Sequence, residues 1–484
     1  MDDNKTNPNE NQSLMENQIV PEEIAPDVAN PTSEEIGQEA YANQENLEQP
    51  PPVYEENKNK YIFIALAVII FIVLLLIFLG VFRRSTTGAK EITLTYWSLW
   101  EEKEVIMPLI NEYNKKFPNI KIDYQTKAKQ EYRERLIARS KNGQGPDIFR
   151  FHNTWLPEIS EVAAPLPSSI MSNADFEATY YKIHQKDLKI GNYYYGLPLE
   201  IDGLILLANE LLLKKGGVEK VPTSWEELIE VAAKLTVKSG DQIVTSGIAL
   251  GTASNIEHFS EILGLMITQN GGSIKNLEAA EAVEALQSYR RFAEPPNNFW
   301  DEQMPNSVTA FIQEKVAMIF VPSWQILTIK SINPDLKIKA GVFPTMVGVS
   351  PVSLASYWVE GVSKFSPNQI EAWKFIKFLS EKENLTKLYE NQSKIRLFGE
   401  PYSRVDLAQL LIQNEYVGPV IKQGDMYVSM PVAARTFDNG LNDEIIKYLE
   451  NAVNATVSGI SYGEAFRVAK QGIDQVLTKY KIEP

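Results

Sequence analysis

The chain contains one uninterrupted apolar run, Tyr61–Phe82, whose twenty-two residues include no charged side chain. At the α-helical rise of about 1.5 Å per residue, this run reaches roughly 33 Å, enough to cross a hydrocarbon core of about 30 Å. A continuous helix satisfies its own backbone polar groups, as hydrocarbon requires. Lys58 and Lys60 precede the run, and Arg83 and Arg84 follow it. The sequence therefore predicts a transmembrane helix over residues 61–82.

A cleaved signal peptide is the alternative interpretation of such a run. Its apolar region usually has about 7–15 residues and lies near the N-terminus, before a small-x-small cleavage site. Here sixty residues come first, and the exit Val81–Arg84 offers no such site. We therefore expect a permanent anchor that separates an N-terminal tail from a large domain.

The tail, residues 1–60, is rich in Asn, Gln, Glu and Pro and shows neither a helical nor a strand period. It holds fourteen Asp and Glu against three Lys, a net charge of −11. Such a segment buries too little apolar surface to offset chain entropy, so we predict that it is disordered. The run Gln49–Tyr54 favours a polyproline conformation, typical of a docking peptide or of a solvated spacer.

The residues after the anchor number about four hundred, too many for one ordinary hydrophobic core, so two lobes or domains are expected. The chain has no cysteine, which excludes disulfides, thiolate metal sites, cysteine nucleophiles and a lipidated cysteine. Of the total charge of −15, the part outside the tail carries only −4. This near-balance argues against a nucleic-acid-binding protein, which would present a basic face.

The start of the large domain has an alternating strand, helix and strand pattern. Residues 91–97 alternate apolar and polar side chains, 105–117 carry apolar residues at helical spacing, and 120–124 alternate again. A turn at 145–147 then leads into a third strand that ends near Phe151. This order predicts a parallel sheet, and ligands of open α/β sheets bind beyond the carboxyl ends of the strands.

Several later stretches form a series along the chain: Tyr193–Asn209, Pro222–Leu228, Asn270–Gly272, Phe311–Trp324, Gly341–Pro344 and Ala372–Leu379. Taken together and in this order, they resemble the extracellular solute-binding proteins of the maltose-binding type, the receptors that feed sugar-importing ABC transporters. The resemblance covers Glu91–Pro484.

The resemblance implies an α/β, two-lobed periplasmic-binding-protein-like fold with a hinge, preceded by the disordered tail, one transmembrane helix and a linker over 83–90. Lobe one would comprise about 91–199 and 345–400, and lobe two about 200–344 and 401–484, with chain crossings near 199–202, after Pro344 and near Glu400. The implied partners are a sugar or oligosaccharide and ABC transporter permease subunits, with no cofactor, metal or nucleic acid. The tail would lie in the cytoplasm and the domain outside, although Arg83, Arg84 and Lys90 favour the opposite orientation.

A sugar presents a ring face of CH groups and a rim of hydroxyls, so its site needs aromatic plates and hydrogen-bonding carboxylates or amides. Two positions have alternative explanations, since Trp97 could pack at the rim and Glu101 could favour a helix N-terminus. Glu200 could brace the hinge instead of contacting ligand. The resemblance implies ligand contacts at Trp97, Glu101, Phe151, Asn153, Trp155, Asp202, Trp324, Tyr357 and Trp358.

Two of these positions depart from the pattern of the family. Trp324 lies in a Pro-Ser-Trp turn where the family has Gly-Pro-Trp, and Ser356-Tyr357 replaces two glycines before Trp358. Tyr357 could itself supply a plate. Trp225 and Trp373 lie in helical patterns and are predicted to be core residues.

An enzyme and a tethered sensor or adhesion receptor are the alternative functions. The three histidines are scattered, and the sequence has no His-Glu-x-x-His, phosphate-binding glycine loop or Gly-x-Ser-x-Gly motif. Glu101 and Asp202 could still form a carboxylate pair for glycoside hydrolysis. The absence of an Arg or Lys cluster favours a neutral ligand.

Overall fold

The computed structural model describes residues 58–84, 90–346 and 348–483. Its contacts form two units, Met1–Thr86 and Thr87–Pro484. The predicted disordered tail, apart from residues 58–60, lies outside the described residues, as do residues 85–89 of the predicted linker.

The first unit contains one helix, α1, over Lys58–Arg84 in its described part. This helix encloses the whole predicted run, because the run contains no proline and only one glycine. The segment Asn59–Ile77 is long and apolar enough to cross a membrane by length and composition. Side chains such as Phe63 and Leu76 are exposed, so the helix has an apolar surface on all sides.

The strands of the second unit are short, and those of the two larger sheets are mostly buried. Within the described residues they are β1 (Ile92–Ser98), β2 (Ile120–Thr126), β3 (Ile148–His152), β4 (Lys189–Ile190), β5 (Tyr193–Tyr194), β6 (Leu197–Pro198), β7 (Leu204–Asn209), β8 (Val237–Ser239), β9 (Gln242–Thr245), β10 (Met318–Pro322), β11 (Ile338–Gly341), β12 (Ser353–Leu354), β13 (Trp358–Val362) and β14 (Tyr427–Val428).

Helices flank both sheets, and helices also form the C-terminal end of this unit. In the same described ranges they are α2 (Lys103–Lys116), α3 (Tyr132–Lys141), α4 (Leu156–Ile159), α5 (Asn173–Thr179), α6 (Lys182–Asp187), α7 (Glu210–Lys215), α8 (Trp225–Leu235), α9 (Phe259–Gln269), α10 (Ala280–Arg290), α11 (Ser307–Ile312), α12 (Gln325–Ile332), α13 (Gln369–Leu379), α14 (Lys382–Ile395), α15 (Ala408–Leu411), α16 (Gly418–Lys422), α17 (Leu441–Val457) and α18 (Tyr462–Lys479).

The first sheet has the strand order β2-β1-β3-β13-β6. Strand β1 pairs in parallel with β2 and with β3, which confirms the predicted parallel arrangement of the first three strands. Strand β13 is antiparallel to β3 and to β6, so the complete sheet is mixed. All five residues of β3 are buried, because the sheet is covered on both faces.

The second sheet has the order β10-β7-β11, and both pairings are antiparallel. Its central strand β7 has the sequence LILLAN and is buried at all six positions. The predicted core residues Trp225 and Trp373 are both buried, on α8 and α13 respectively. The prediction that both tryptophans are core residues is therefore confirmed.

Four chain segments between the sheets pair with one another. Glu200 pairs with Tyr402 and Gly203 with Ala355, while β12 runs parallel to β14. Gly203 has no room for a side chain, because a Cβ atom there would collide with the Leu354 carbonyl oxygen. The strands of the first sheet fall within 92–198 and 358–362, and those of the second within 204–341. The lobe boundaries given above remain a prediction.

Candidate functional site

A cavity of about 280 Å³ lies where strands of both sheets end. His152 is the last residue of β3 and Trp358 the first of β13, while Trp324 follows β10 of the second sheet. The side chains that line it include Trp100, Lys129, His152, Glu200, Asp202, Ser323, Trp324, Ser356, Trp358, Arg396, Glu400 and Arg435.

Aromatic rings face this cavity from both sheets. On the side of the first sheet, Trp100 and Trp358 meet edge to face with ring centroids 5.0 Å apart. The imidazole of His152 lies 5.1 Å from the Trp358 ring in the same type of contact. On the side of the second sheet, Trp324 directly precedes α12 and is 36% exposed. Exposed indole faces are the surfaces on which the CH groups of a sugar ring can pack.

Asp202 lies between the sheets and holds the start of α12. Its Oδ1 accepts hydrogen bonds from the backbone N–H groups of Gly203 (2.7 Å) and Ser323 (3.0 Å). Its Oδ2 accepts from the Ser323 hydroxyl (2.9 Å) and the Trp324 N–H (3.1 Å). Burial raises the pKa of Asp202 to about 6, against these four bonds, so the side chain is ionised at neutral pH. All its acceptor positions are used within the protein.

Glu200 and Glu400 form a second acidic group at the cavity. Glu200 accepts a hydrogen bond from the Trp358 N–H at 2.9 Å, and Glu400 accepts from Trp100 Nε1 at 3.1 Å. Burial, followed by the charge of Glu400, raises the pKa of Glu200. Burial acts on Glu400 in the same direction, but the positive charges of Arg150 and Arg396 lower its pKa overall. The two carboxyl groups therefore differ in pKa, and that of Glu200 is the higher.

The imidazole of His152 is neutral at physiological pH. Burial, together with the charge of Lys129, lowers the pKa of His152 to about 3. Its Nδ1 contacts the Thr154 hydroxyl at 2.8 Å and its Nε2 the Ser356 hydroxyl at 3.1 Å. His152 therefore orients hydroxyl groups at the cavity wall and does not supply a positive charge.

Of the nine ligand contacts predicted from the sequence, the structure places three on the cavity: Asp202, Trp324 and Trp358. The other six lie outside its lining and are buried, with a relative exposure of 6% or less. The sequence did not predict that these six side chains would be buried behind the cavity surface. Their role as direct ligand contacts remains a prediction. They are Trp97, Glu101, Phe151, Asn153, Trp155 and Tyr357.

Two of the buried six form one polar network. Asn153 Nδ2 donates to Asp187 Oδ2 at 2.9 Å, and the Tyr357 hydroxyl donates to the same oxygen at 2.9 Å. The Tyr357 backbone N–H in turn donates to Asn153 Oδ1 at 3.2 Å. Ser429, which follows β14, donates to Asp187 Oδ1 at 2.7 Å. These residues join four chain segments and have no face on the cavity.

The remaining four support the walls. Trp155 meets Trp358 edge to face at 5.1 Å, and Glu101 accepts a hydrogen bond from Gln392 and lies 3.7 Å from Arg396. Phe151 is fully buried in β3. Trp97 lies under the ammonium group of Lys127, at 4.7 Å.

The main residues that the sequence analysis missed are Trp100, Lys129, Arg396 and Arg435. Trp100 could have been found from the strand pattern, because β1 ends at Ser98, one residue later than predicted, and Trp100 then follows the strand end. The other three are cations from distant segments, and the sequence expectation of no cationic cluster is wrong for the folded cavity. No local motif marks them, since only the fold brings them together.

Within the residues that the structure describes, no group of three or more His, Asp or Glu side chains could hold a metal ion.

Comparisons with known proteins give one family and one fold. Residues 98–385 match the family model described as bacterial extracellular solute-binding protein. The maltotriose-binding protein of Pyrococcus abyssi is 21% identical over 300 residues, which is 59% of this chain and 61% of that protein.

Solved structures share the fold of the larger unit. The maltose-binding periplasmic protein of Listeria monocytogenes in complex with maltose has a TM-score of 0.65 at 19% identity, covering 80% of this chain and 98% of that one. The GacH receptor of Streptomyces glaucescens, solved unliganded and with acarbose, has a TM-score of 0.63 at 21% identity. That match covers 81% of this chain and 100% of that one.

Proposed function

Because this chain belongs to the family of bacterial extracellular solute-binding proteins, we propose that its larger unit captures a carbohydrate in the cavity between the two sheets. The observation that carries the proposal is the pair of aromatic walls, with Trp100 and Trp358 on one side and Trp324 on the other. The relatives named for maltotriose, maltose and acarbose support the ligand class. The captured sugar would be delivered to the permease of an ABC importer.

The proposed mechanism is closure of two lobes about the adjacent segments between the sheets. The lobes are those predicted from the sequence, with boundaries near residues 199–202, 345 and 400. Since the aromatic walls belong to different sheets, closure would bring both onto one ligand and remove it from water.

Small-angle scattering of the unit from Lys90 should show a smaller radius of gyration with saturating ligand than without it.

The apolar helix supports the proposal that the protein is held at the membrane. A helix as apolar as Asn59–Ile77 gains about 0.8 kcal/mol for each CH₂ group removed from water. We propose a single-pass anchor with residues 1–57 in the cytoplasm and the solute-binding unit outside. The family supports this orientation, because its members are extracellular.

The family is one of binding proteins. For the alternative of an enzyme, the sequence offered Glu101 and Asp202 as a carboxylate pair for glycoside hydrolysis, and the geometry does not favour this pair. Glu101 lies outside the cavity lining, whereas all acceptor positions of Asp202 are occupied by hydrogen bonds within the protein. A tethered sensor on the same fold would also bind a sugar, and transport of that sugar by cells distinguishes the two functions. We therefore propose binding without turnover.

The first prediction tests the aromatic wall. Trp324→Ala should weaken sugar binding at least several-fold, because a stacking contact contributes about 0.5–1.5 kcal/mol beyond its buried area. Titration calorimetry measures the change, after a thermal-shift screen of sugars, polyols, amines and phosphates has identified a ligand. Phe365→Ala is the control, since Phe365 is an exposed aromatic residue outside the cavity lining. Equal losses for both variants would contradict the assignment of Trp324 to the site.

The second prediction tests the orientation. A protease added to intact cells should digest the solute-binding unit and leave the acidic tail protected. Antibodies against each segment follow the two fragments, and permeabilised cells serve as the control because both segments are then accessible. Digestion of the tail alone in intact cells would reverse the proposed topology.

A further inference from the structure

The acidic side chains that line the cavity already have partners within the protein. Asp202 accepts four hydrogen bonds, and Glu400 accepts from Trp100 and lies 3.7 Å from Arg396. Glu200 accepts from the Trp358 N–H and lies near the charge of Glu400. The carboxyl groups that a ligand would meet therefore already accept hydrogen bonds from the protein, and few of their acceptor positions are left for the ligand.

Two of the three cations at the cavity are paired as well. Arg396 lies 3.7 Å from carboxylate oxygens of both Glu101 and Glu400. Arg435 forms an ion pair with Glu257 through its guanidinium group. Both side chains thus neutralise carboxylates of the protein.

Lys129 differs from these residues. It lies between β2 and α3, and its Nζ has no hydrogen bond and no ion pair among the residues that the structure describes. Its contacts are two indole rings, with Nζ 4.8 Å from the centroid of Trp100 and 5.9 Å from that of Trp324. These rings come from opposite sides of the cavity. The ammonium group therefore lies between the aromatic walls with its three N–H donors unused.

The surroundings of this ammonium group favour an anion. Burial lowers the pKa of Lys129, and the nearby charge of Arg435 lowers it further, while the charge of Glu200 partly opposes both. The positive charge is therefore partly removed from water and has no ion pair of its own among the described residues. A ligand anion beside Nζ would provide the missing counter-ion and form charge-assisted hydrogen bonds.

We propose that the cavity selects a saccharide that carries an anionic substituent, a carboxylate or sulfate bound by Lys129, while its ring packs on the tryptophans. This inference rests on the proposed function and specifies its ligand class. An amine ligand would compete with Lys129 for the same rings, so the geometry disfavours it. A neutral sugar would leave the charge of Lys129 uncompensated.

The test uses the full chain in detergent and four pools of oligosaccharides of two to six units: uronate-containing, sulfated, neutral and amino-sugar pools. Native mass spectrometry identifies what the protein retains, and calorimetry on each retained compound gives its affinity. The mass of the retained compound distinguishes a uronate from a sulfate. We expect retention from an anionic pool, with affinity that falls as salt concentration rises.

Two lysine variants complete the test. Lys129→Met should weaken binding of the anionic compound at least tenfold, whereas Lys127→Met should not change it. Lys127 is a matched control two residues away, because its Nζ donates to Gln125 and it does not line the cavity. Both variants should keep the melting temperature of the wild-type protein.

Each other outcome has a definite meaning. Retention of neutral sugars alone would overturn the anionic selectivity and leave the proposed function intact. Retention of amino sugars that bind Lys129→Met more tightly would also overturn it, in favour of a cationic ligand. If no pool is retained, the proposed function fails and this inference fails with it.

Discussion

Asp202→Asn should lower the unfolding free energy of the solute-binding unit at pH 7 by about 1–3 kcal/mol, because at least one backbone N–H would lose its acceptor. Three of the four groups that bond to Asp202 are backbone N–H groups, which cannot reverse their direction. In either orientation, the amide NH₂ of Asn would face at least one of them. The start of α12 and the adjacent Trp324 would lose their attachment to the segment between the sheets.

Chemical denaturation of the unit from Lys90 measures the change in unfolding free energy. Asp241→Asn is the control, since Asp241 is exposed. The effect on ligand binding should follow from the displaced Trp324 and not from a lost contact between Asp202 and the sugar. An unchanged midpoint of unfolding together with weaker binding would show instead that Asp202 contacts the ligand directly.

The sequence predicted the parts of the fold that depend on local patterns. The strand predicted over 91–97 occurs at Ile92–Ser98, and the helix predicted over 105–117 occurs at Lys103–Lys116. Each of these features is decided by residues within a few positions of one another, which is why periodicity rules could find them.

The cavity surface could be predicted only in part, because it is decided by residues far apart in the chain. Glu200, Trp324 and Arg396 reach it from three separate segments, and pairing of those segments has no local signature. Burial adds a second difficulty. Trp155 and Trp358 are chemically alike, but one supports the other from behind. Residue type could therefore indicate aromatic recognition without showing which ring the ligand would meet.

Asp187 provides a contrast with Asp202. The same substitution, Asp187→Asn, should stabilise the unit at pH 7, because the donors to this carboxylate are side chains. An Asn carbonyl oxygen can accept from Asn153 and Tyr357, while the Ser429 hydroxyl can rotate to accept from the amide NH₂. The substitution therefore keeps the network that joins the four chain segments, and it removes a buried negative charge.

The expected gain depends on pH with a definite sign. Burial raises the pKa of Asp187 from 3.8 to about 6 in the folded protein. A group with a raised folded pKa contributes stability that is present below the unfolded pKa and is lost as pH rises through the folded pKa. The wild-type protein thus loses stability at this site between about pH 4 and pH 6, and the variant does not. With about 1.36 kcal/mol per pKa unit, the difference at pH 7 should be about 2–3 kcal/mol.

Denaturation of both proteins at pH 4, 5, 6 and 7 tests this prediction. The difference in unfolding free energy should be near zero at pH 4, grow through pH 5 and 6, and level off by pH 7. Taking the difference at each pH removes the titration of groups that both proteins share. A constant difference across the range would mean that Asp187 does not titrate there. A variant less stable at pH 7 would mean that the network requires the ionised carboxylate, because its three donors then stabilise the charge by more than burial costs.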